Sequence, residues 1–205
     1  KGFPKRIAHL VSIEVGSHND IWIEGLTAEY MKDMGLETEA SKKKLLALKT
    51  DPRVNWLLHE MEKLDPSKVL LICKSKEKVL ALERALQDKA SFKIGVFHED
   101  LTIVQRDRNA AWFSEKNGAR LLLCSEIGSE GRNFQFADHL ILFDLPINPE
   151  LLEQRIGRLD RIGQKKDINI HVPFFKGSPQ EVLVKWFHEG LNAFEENIEA
   201  GNQIG

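Results

Sequence analysis

The sequence predicts an α/β fold, a parallel sheet covered by helices on both faces. Two observations carry this. Short runs that are apolar almost throughout, VLLIC at Val69–Cys73, ARLLLC at Ala119–Cys124 and HLILFD at His139–Asp144, read as strands shielded from water on both sides. Between them lie segments whose apolar residues recur at helical spacing, so that strand and helix alternate as a doubly wound sheet requires.

Residues 1–50 read as a linker or lobe-edge extension: a basic start, one short alternating segment (AHLVSIEV), a lone Trp22 and no clear periodicity. The folded lobe is assigned to residues 51–197 and a disordered tail to 198–205. From Arg53, the residues Val54, Leu57, Leu58, Met61 and Leu64 line one helix face. After DPSK comes the strand Val69–Cys73, then a helix from Ser75 with Val79, Leu80, Leu82 and Leu86 as its inner stripe. KIGVFH reads as a strand, and TIVQ opens the next helix as a capping box of Thr102 and Gln105. The strands ARLLLC and HLILFD follow, then a helix capped by Asn148, the strand INIHVPFF and a closing helix from Ser178 to Glu196.

Lys plus Arg number 29 and Asp plus Glu 31, a net charge of −2, which excludes a generally basic nucleic-acid binder and makes any basic surface local. Cys73 and Cys124 each close an apolar run, as buried thiols in a reducing compartment do. Two isolated cysteines fall short of a zinc site, and the seven histidines lack a metal-like spacing. No stretch has the length of a membrane span and no secretory signal is present, so the expectation is a cytoplasmic protein without a membrane partner. The start KGFPKR, without a methionine, reads as a piece of something longer.

In such folds ligands sit at the carboxyl ends of the strands. The loops after Cys73, His98, Cys124 and Asp144 are therefore the ones to inspect. His98 ends a strand, where a histidine is usually structural. In CSEIGSEGRNF, the small residues Ser125, Gly128, Ser129 and Gly131 let backbone N–H groups approach a phosphate or ribose, although plain turn chemistry gives the same pattern. In NPELLEQRIGRLDRIGQ, Asn148 caps a helix, Pro149 suits its first position and Gly163 can end it. On a helix of that length Gln154, Arg158 and Arg161, spaced i, i+4, i+7, share one face. Asp160 can neutralise one arginine only, and Gly157 costs about 1 kcal/mol inside a helix. Such strain is best tolerated where an anion is expected, since planar guanidiniums match phosphate oxygens bidentately. A solvated charged helix is the plainer alternative.

The run Leu121–Gln164 resembles the fifth and sixth motifs of the superfamily-two helicase ATPases of the chromatin-remodeller type. Small-residue turn, G-x-x-G-x-N, an Asp closing the next strand, N-P and Q-x-x-x-R-x-x-R-x-G-Q all match in register, and QRDRNAAWF fits the preceding motif with Arg106 and Phe113. The likeness extends over about Lys68–Phe194, and CSEIGSEGRNFQFA with VKWFHEGLNAFE looks most like the bacterial branch that associates with RNA polymerase.

The resemblance implies the second RecA-like lobe of a two-lobe motor, a three-layer fold, that works on ATP with Mg2+ held mainly by the other lobe. It implies Arg158 and Arg161 as arginine fingers, and Glu130, Gly131 and Gln154 at the nucleotide cleft. Ser125, with Lys74, Ser75 and Arg106, is implied along a double-stranded DNA or DNA/RNA backbone. The implied partners are RNA polymerase and the first RecA-like lobe. Arg132 departs from the family, where an aliphatic residue is usual, and ICKS replaces an aromatic-serine pair. No G-x-x-x-x-G-K-[ST] and no Asp-Glu dipeptide occurs, so the chain is expected to supply one wall of an ATP site and no turnover alone. A non-enzymatic polymerase-interaction domain and a stand-alone nucleotide- or phosphate-binding enzyme remain open at this point.

Overall fold

The computed structural model describes residues 4–16, 20–36 and 48–196. Its centre is one six-stranded sheet, wholly parallel, of β1 (Arg6–Ile13), β2 (Val69–Cys73), β3 (Ile94–Phe97), β4 (Leu121–Ser125), β5 (His139–Leu142) and β6 (Ile168–Phe175). The spatial order is β1-β6-β5-β2-β4-β3. β2 has helices on both faces, and all five of its residues are buried. This is why its sequence is apolar without alternation.

The helices are α1 (Asp20–Asp33), α2 (Pro52–Lys63), α3 (Lys76–Gln87), α4 (Ile103–Ser114), α5 (Pro149–Ile156) and α6 (Pro179–Lys185). One apolar layer joins Val69, Leu71, Leu121, Leu123 and Ile141 of the sheet to Val54, Leu57 and Met61 of α2 and Val79, Leu82 and Leu86 of α3. The opposite layer joins Leu70, Ile72, Leu122, Leu140, Leu142 and Ile170 to Phe113 of α4, Leu152 and Ile156 of α5 and Val184 of α6. A Leu→Ala change in either layer costs about 2–5 kcal/mol. Local signals place the helices. Asn148 accepts the Glu150 amide (2.8 Å) with Pro149 opening α5, and Thr102 with Gln105 forms the expected capping box on α4.

Both cysteines are free and buried. Cys73 stands opposite Ser125 in the ladder, one residue out of step with Cys124, so the pleat sends the two thiols into opposite layers.

Of the two readings of the N-terminal segment, Arg6–Ile13 takes the second: it is an edge strand paired along its length with β6, an extension of the lobe's sheet. Three expectations are corrected. Residues 20–33 form a helix, α1, that the sequence did not announce. Its buried stripe is one residue wide: Trp22 and Leu26 pack on Phe175, and the Tyr30 hydroxyl donates to the Leu145 carbonyl (2.9 Å). The closing helix stops at Lys185, passes through a wider π-type turn (Trp186–Gly190) and ends in turns, where Asn192 has a positive φ of 48°. Finally, α5 ends at Ile156, two turns short of Gly163. The assigned tail, 198–205, and residues 37–47 of the N-terminal segment lie outside the described residues.

Candidate functional site

The carboxyl ends of β2, β4 and β5 carry a cluster of charges that the apolar strands deliver to one edge. Asp144, two residues beyond β5, is buried and contacts Lys78 of α3 (2.9 Å), both terminal nitrogens of Arg155 (3.1 Å each) and the Lys74 backbone N–H (3.0 Å). Arg155 also binds Glu126 (2.6 Å), and Lys78 also binds Glu29 of α1 (2.7 Å). Burial alone would raise the Asp144 pKa, but Lys78 and Arg155 outweigh it and hold the carboxyl well below the usual range. Burial would likewise lower the pKa of Lys78, and Asp144 and Glu29 reverse that. This network locks α1, α3 and α5 onto the strand ends.

The three arginines of α5 and its following turn therefore have different fates. Arg155, inside the helix, is a buried structural ion. Arg158 and Arg161 follow the helix end at Gly157, which has ordinary helical φ (−63°) and so is not the strained interior residue that the sequence suggested. The turn continues through Arg158 N–H to Arg155 carbonyl (3.2 Å) and Leu159 N–H to Ile156 carbonyl (3.1 Å), and Gly163 (φ 100°) closes it. The shared helical face expected of Gln154, Arg158 and Arg161 is thus replaced by a turn, with Gln154 exposed on the helix.

Arg158 is 6% exposed, and its Nε has no hydrogen-bond partner among the described residues. Arg161 is exposed, and its Nε donates to the Gly157 carbonyl (2.8 Å). Neither has an ion pair among the described residues. Burial and then the like charge of Arg161 lower the Arg158 pKa, with Glu130 pulling the other way. Asp160, the acid that lies between them, is occupied elsewhere: its carboxylate accepts from Arg6 Nε (2.7 Å).

The glycine-bearing loop after β4 packs against this turn. Phe134 N–H donates to the Arg158 carbonyl (2.8 Å), and the Gln164 side-chain amide bonds the Ala137 carbonyl (3.2 Å). Gly131 has φ 73°, a conformation that side chains strain to adopt, and it lies open beside exposed Glu130. At Gly128 a Cβ would lie 2.6 Å from His98 Cα, so only glycine lets the loops after β3 and β4 touch. His98 is buried, with Nδ1 unpartnered among the described residues.

The residues assigned to a nucleic-acid track are placed less uniformly. Lys74 and Ser75 follow β2, whose last residue pairs with Ser125, so these three do converge. Their polar atoms are engaged: Lys74 is ion-paired with Asp33, and the Ser75 hydroxyl caps α3 by accepting from Lys78 N–H (3.3 Å). Ser125 is fully buried. Its hydroxyl donates to Glu99 (2.5 Å) and accepts the Gly128 amide (3.0 Å), so an outward contact through it as expected requires Glu99 to leave. Arg106, on α4, is part-buried with Nε unpartnered among the described residues. Arg132, the departure from the family pattern, binds Asp107 (2.7 Å) and stands over the Phe97 ring (5.5 Å).

Sequence reasoning missed Arg6, Lys78, Glu99 and Glu126. Lys78 carried a weak signal, a lysine beside Val79 in a buried stripe; the others become visible only when distant strands meet.

Comparison with known proteins fits this geometry. Residues 52–163 match the helicase conserved C-terminal domain, and residues 167–205 match the C-terminal family of RNA polymerase recycling proteins. Among solved structures, the C-terminal part of the Fun30 ATPase domain is similar at TM-score 0.60 and 19% identity, covering 78% of this chain and 52% of that one. The C-terminal domain of the DEAD-box protein Dbp5 gives 0.56 at 18% identity, covering 67% and 79%. The Escherichia coli DEAD-box protein SrmB gives 0.57 at 12%, covering 95% and 85%. These likenesses show the RecA-like fold, and the chain spans about half the length of the Fun30 structure. Since the first match covers more than half of its residues and the second adjoins it, the chain belongs to the helicase C-terminal domain family, as a RapA-like C-terminal lobe.

Proposed function

We propose that this chain is the second RecA-like lobe of an ATP-dependent double-stranded-DNA translocase that associates with RNA polymerase and promotes its recycling in the bacterial cytoplasm. One observation carries the reading: among the described residues Arg158 and Arg161 have no ion pair, while the neighbouring acids Glu126, Asp144 and Asp160 are bound by other cations and exposed Glu130 acts on Arg158 without an ion pair. A phosphate fits that arrangement, because it satisfies the orphaned Arg158 Nε and relieves the repulsion between the two guanidiniums. The family match to RNA polymerase recycling proteins supports the partner.

In this reading ATP with Mg2+ brings the phosphoryl group to be transferred, held mainly by a first RecA-like lobe that carries the phosphate loop. The residues of this chain supply the opposing wall. Arg158 and Arg161 offset charge developing at the phosphoryl oxygens, and Gln154, Glu130 and Gly131 border the cleft on exposed positions. The Arg155–Asp144–Lys78 network holds the turn rigid, so little reorganisation is left for the reaction. Lys74 and Arg106 border the nucleic-acid side, with Ser125 joining once Glu99 is displaced. Contacts of this kind go to phosphates and do not read sequence.

The test is steady-state ATP hydrolysis by the two-lobed protein. Arg158→Ala or Arg161→Ala should lower kcat by roughly 10³ to 10⁵ with a smaller effect on ATP binding and little change in melting temperature. Arg→Lys should fail nearly as badly, because a point charge loses the fork. The chain by itself should not turn over ATP. Normal kcat in both alanine variants, or ATPase activity of the isolated chain that Arg158→Ala abolishes, refutes the reading.

A further inference from the structure

Arg6 opens the edge strand β1, outside the residues that either family match covers, and its side chain is buried under the arginine turn. Its guanidinium is divided between two acids. Nε binds Asp160 (2.7 Å), and Nη1 and Nη2 bind the two oxygens of Glu153 (3.0 and 2.5 Å); Nη1 also reaches the Glu196 carbonyl (3.4 Å). Glu153 lies on α5 and Asp160 beyond its end, so one side chain from a distant strand spans the helix terminus.

Asp160 is the only acid between Gly157 and Gln164, and it adjoins Arg161 and lies two residues from Arg158. Left to itself, a carboxylate in that place pairs with the nearest free guanidinium, because charge-assisted bonds of this type are the strong ones. Arg6 prevents this by occupying it. Other nearby acids are occupied as well, Glu126 and Asp144 by Arg155 and Glu153 by Arg6, and exposed Glu130, whose charge reaches Arg158, makes no ion pair with it.

We infer that Arg6 is a positioning residue for the arginine turn: it holds Asp160, and with it the turn, away from Arg158 and Arg161, leaving both guanidiniums free for an anion. The inference rests on the proposed role of those two arginines. Arg6 itself touches no substrate.

The experiment measures ATPase kinetics and melting temperature in the two-lobed protein for Arg6→Ala, Asp160→Asn, the double variant and Arg158→Ala. Releasing the turn by an ångström or so should cost Arg6→Ala on the order of 100-fold in kcat, with KM for ATP changed less than about threefold. Removing the carboxylate that does the capturing should then restore activity, so Arg6→Ala/Asp160→Asn should recover at least about tenfold over Arg6→Ala alone. A purely structural arginine predicts the opposite, a double variant no better than the single one. Arg6→Lys, which can reach only one of the two acids, should fall between wild type and alanine. Unchanged kcat in Arg6→Ala, or no recovery in the double variant, overturns the inference while Arg158→Ala remains inactive. Normal kcat in Arg158→Ala overturns the finger reading and this inference with it.

Discussion

Replacing Asp144 with alanine is the most direct probe of what holds the strand ends together. The carboxylate is buried, and it makes close contacts to Lys78 Nζ (2.9 Å), two nitrogens of Arg155 (3.1 Å each) and the Lys74 amide (3.0 Å). Its loss leaves two buried cations, each with one acid remaining, Glu29 for Lys78 and Glu126 for Arg155. Breaking a buried pair by removing one partner costs about 3–5 kcal/mol, and the two remaining acids place this case toward the lower end. For a chain of this size about 3 kcal/mol corresponds to a melting temperature lower by roughly 6–12 °C. Urea unfolding of the chain followed by tryptophan fluorescence gives the free energy directly. The pH dependence has a definite sign. The Asp144 pKa is depressed in the folded state, so its contribution is full above the unfolded carboxylate range, near pH 4, and is lost as pH falls below it. Asp144→Ala should therefore lose more stability at pH 7 than at pH 3. A change below about 1 kcal/mol at pH 7, or a loss independent of pH, would show that the network is not structural.

Burial and the neighbouring His9 and His139 push the His171 pKa down to about 3, so the fold loses stability as pH drops from about 6.5, the unfolded value, toward that point. His171→Gln should flatten the decline in urea midpoint across that window. Burial raises both thiol pKa values, so Cys73 and Cys124 should resist a thiol reagent in the native chain and react at the rate of unfolding. A residue with a Cβ at Gly131 must hold φ near 73°, so Gly131→Ala should cost about 1 kcal/mol or more in urea unfolding, despite open space around it. DNA binding by this lobe should be weak, insensitive to sequence and steeply salt-dependent, and Glu99→Ala, which removes the acceptor of the Ser125 hydroxyl, should strengthen it, as a fluorescence anisotropy titration reads.

The strands β2, β4 and β5 were legible because burial on both faces writes itself as unbroken apolar runs. The capping box at Thr102 and the Asn148–Pro149 start were legible because caps are local chemistry. Helix ends were not. Nothing between Ile156 and Gly163 forbids another turn of helix, and α5 stops because the turn beyond it docks on the loop through Phe134 and Gln164. α1 escaped notice because its buried stripe of Trp22, Leu26 and Tyr30 is diluted by exposed Ile21 and charged neighbours. In the site, the resemblance pointed to Arg158 and Arg161, which have no ion pair among the described residues. It said nothing of which acids lie near, since Arg6 and Asp160 are 154 positions apart, and Arg155 and Glu126 29.

On the proposed reading, the pattern of acids and arginines also explains how a chain of net charge −2 carries a site for an anion. Overall charge governs solubility and long-range attraction; recognition of one phosphate depends on which cations are unpaired within a few ångströms. Around the arginine turn, Glu126, Asp144, Glu153 and Asp160 are directed to Arg6, Arg155 or Lys78, and exposed Glu130 acts on Arg158 without an ion pair. Pairing those three fixes the fold, and the same pairing withholds those four carboxylates from Arg158 and Arg161. Leaving a buried guanidinium nitrogen without a partner costs on the order of 1–3 kcal/mol, a cost the two apolar layers readily offset. A turn built only for stability would place an acid beside Arg158, and one is present in the sequence at Asp160. That this acid is instead bound by a residue from the far edge of the sheet is the structural reason to regard the two free arginines as a site and not as surface charge.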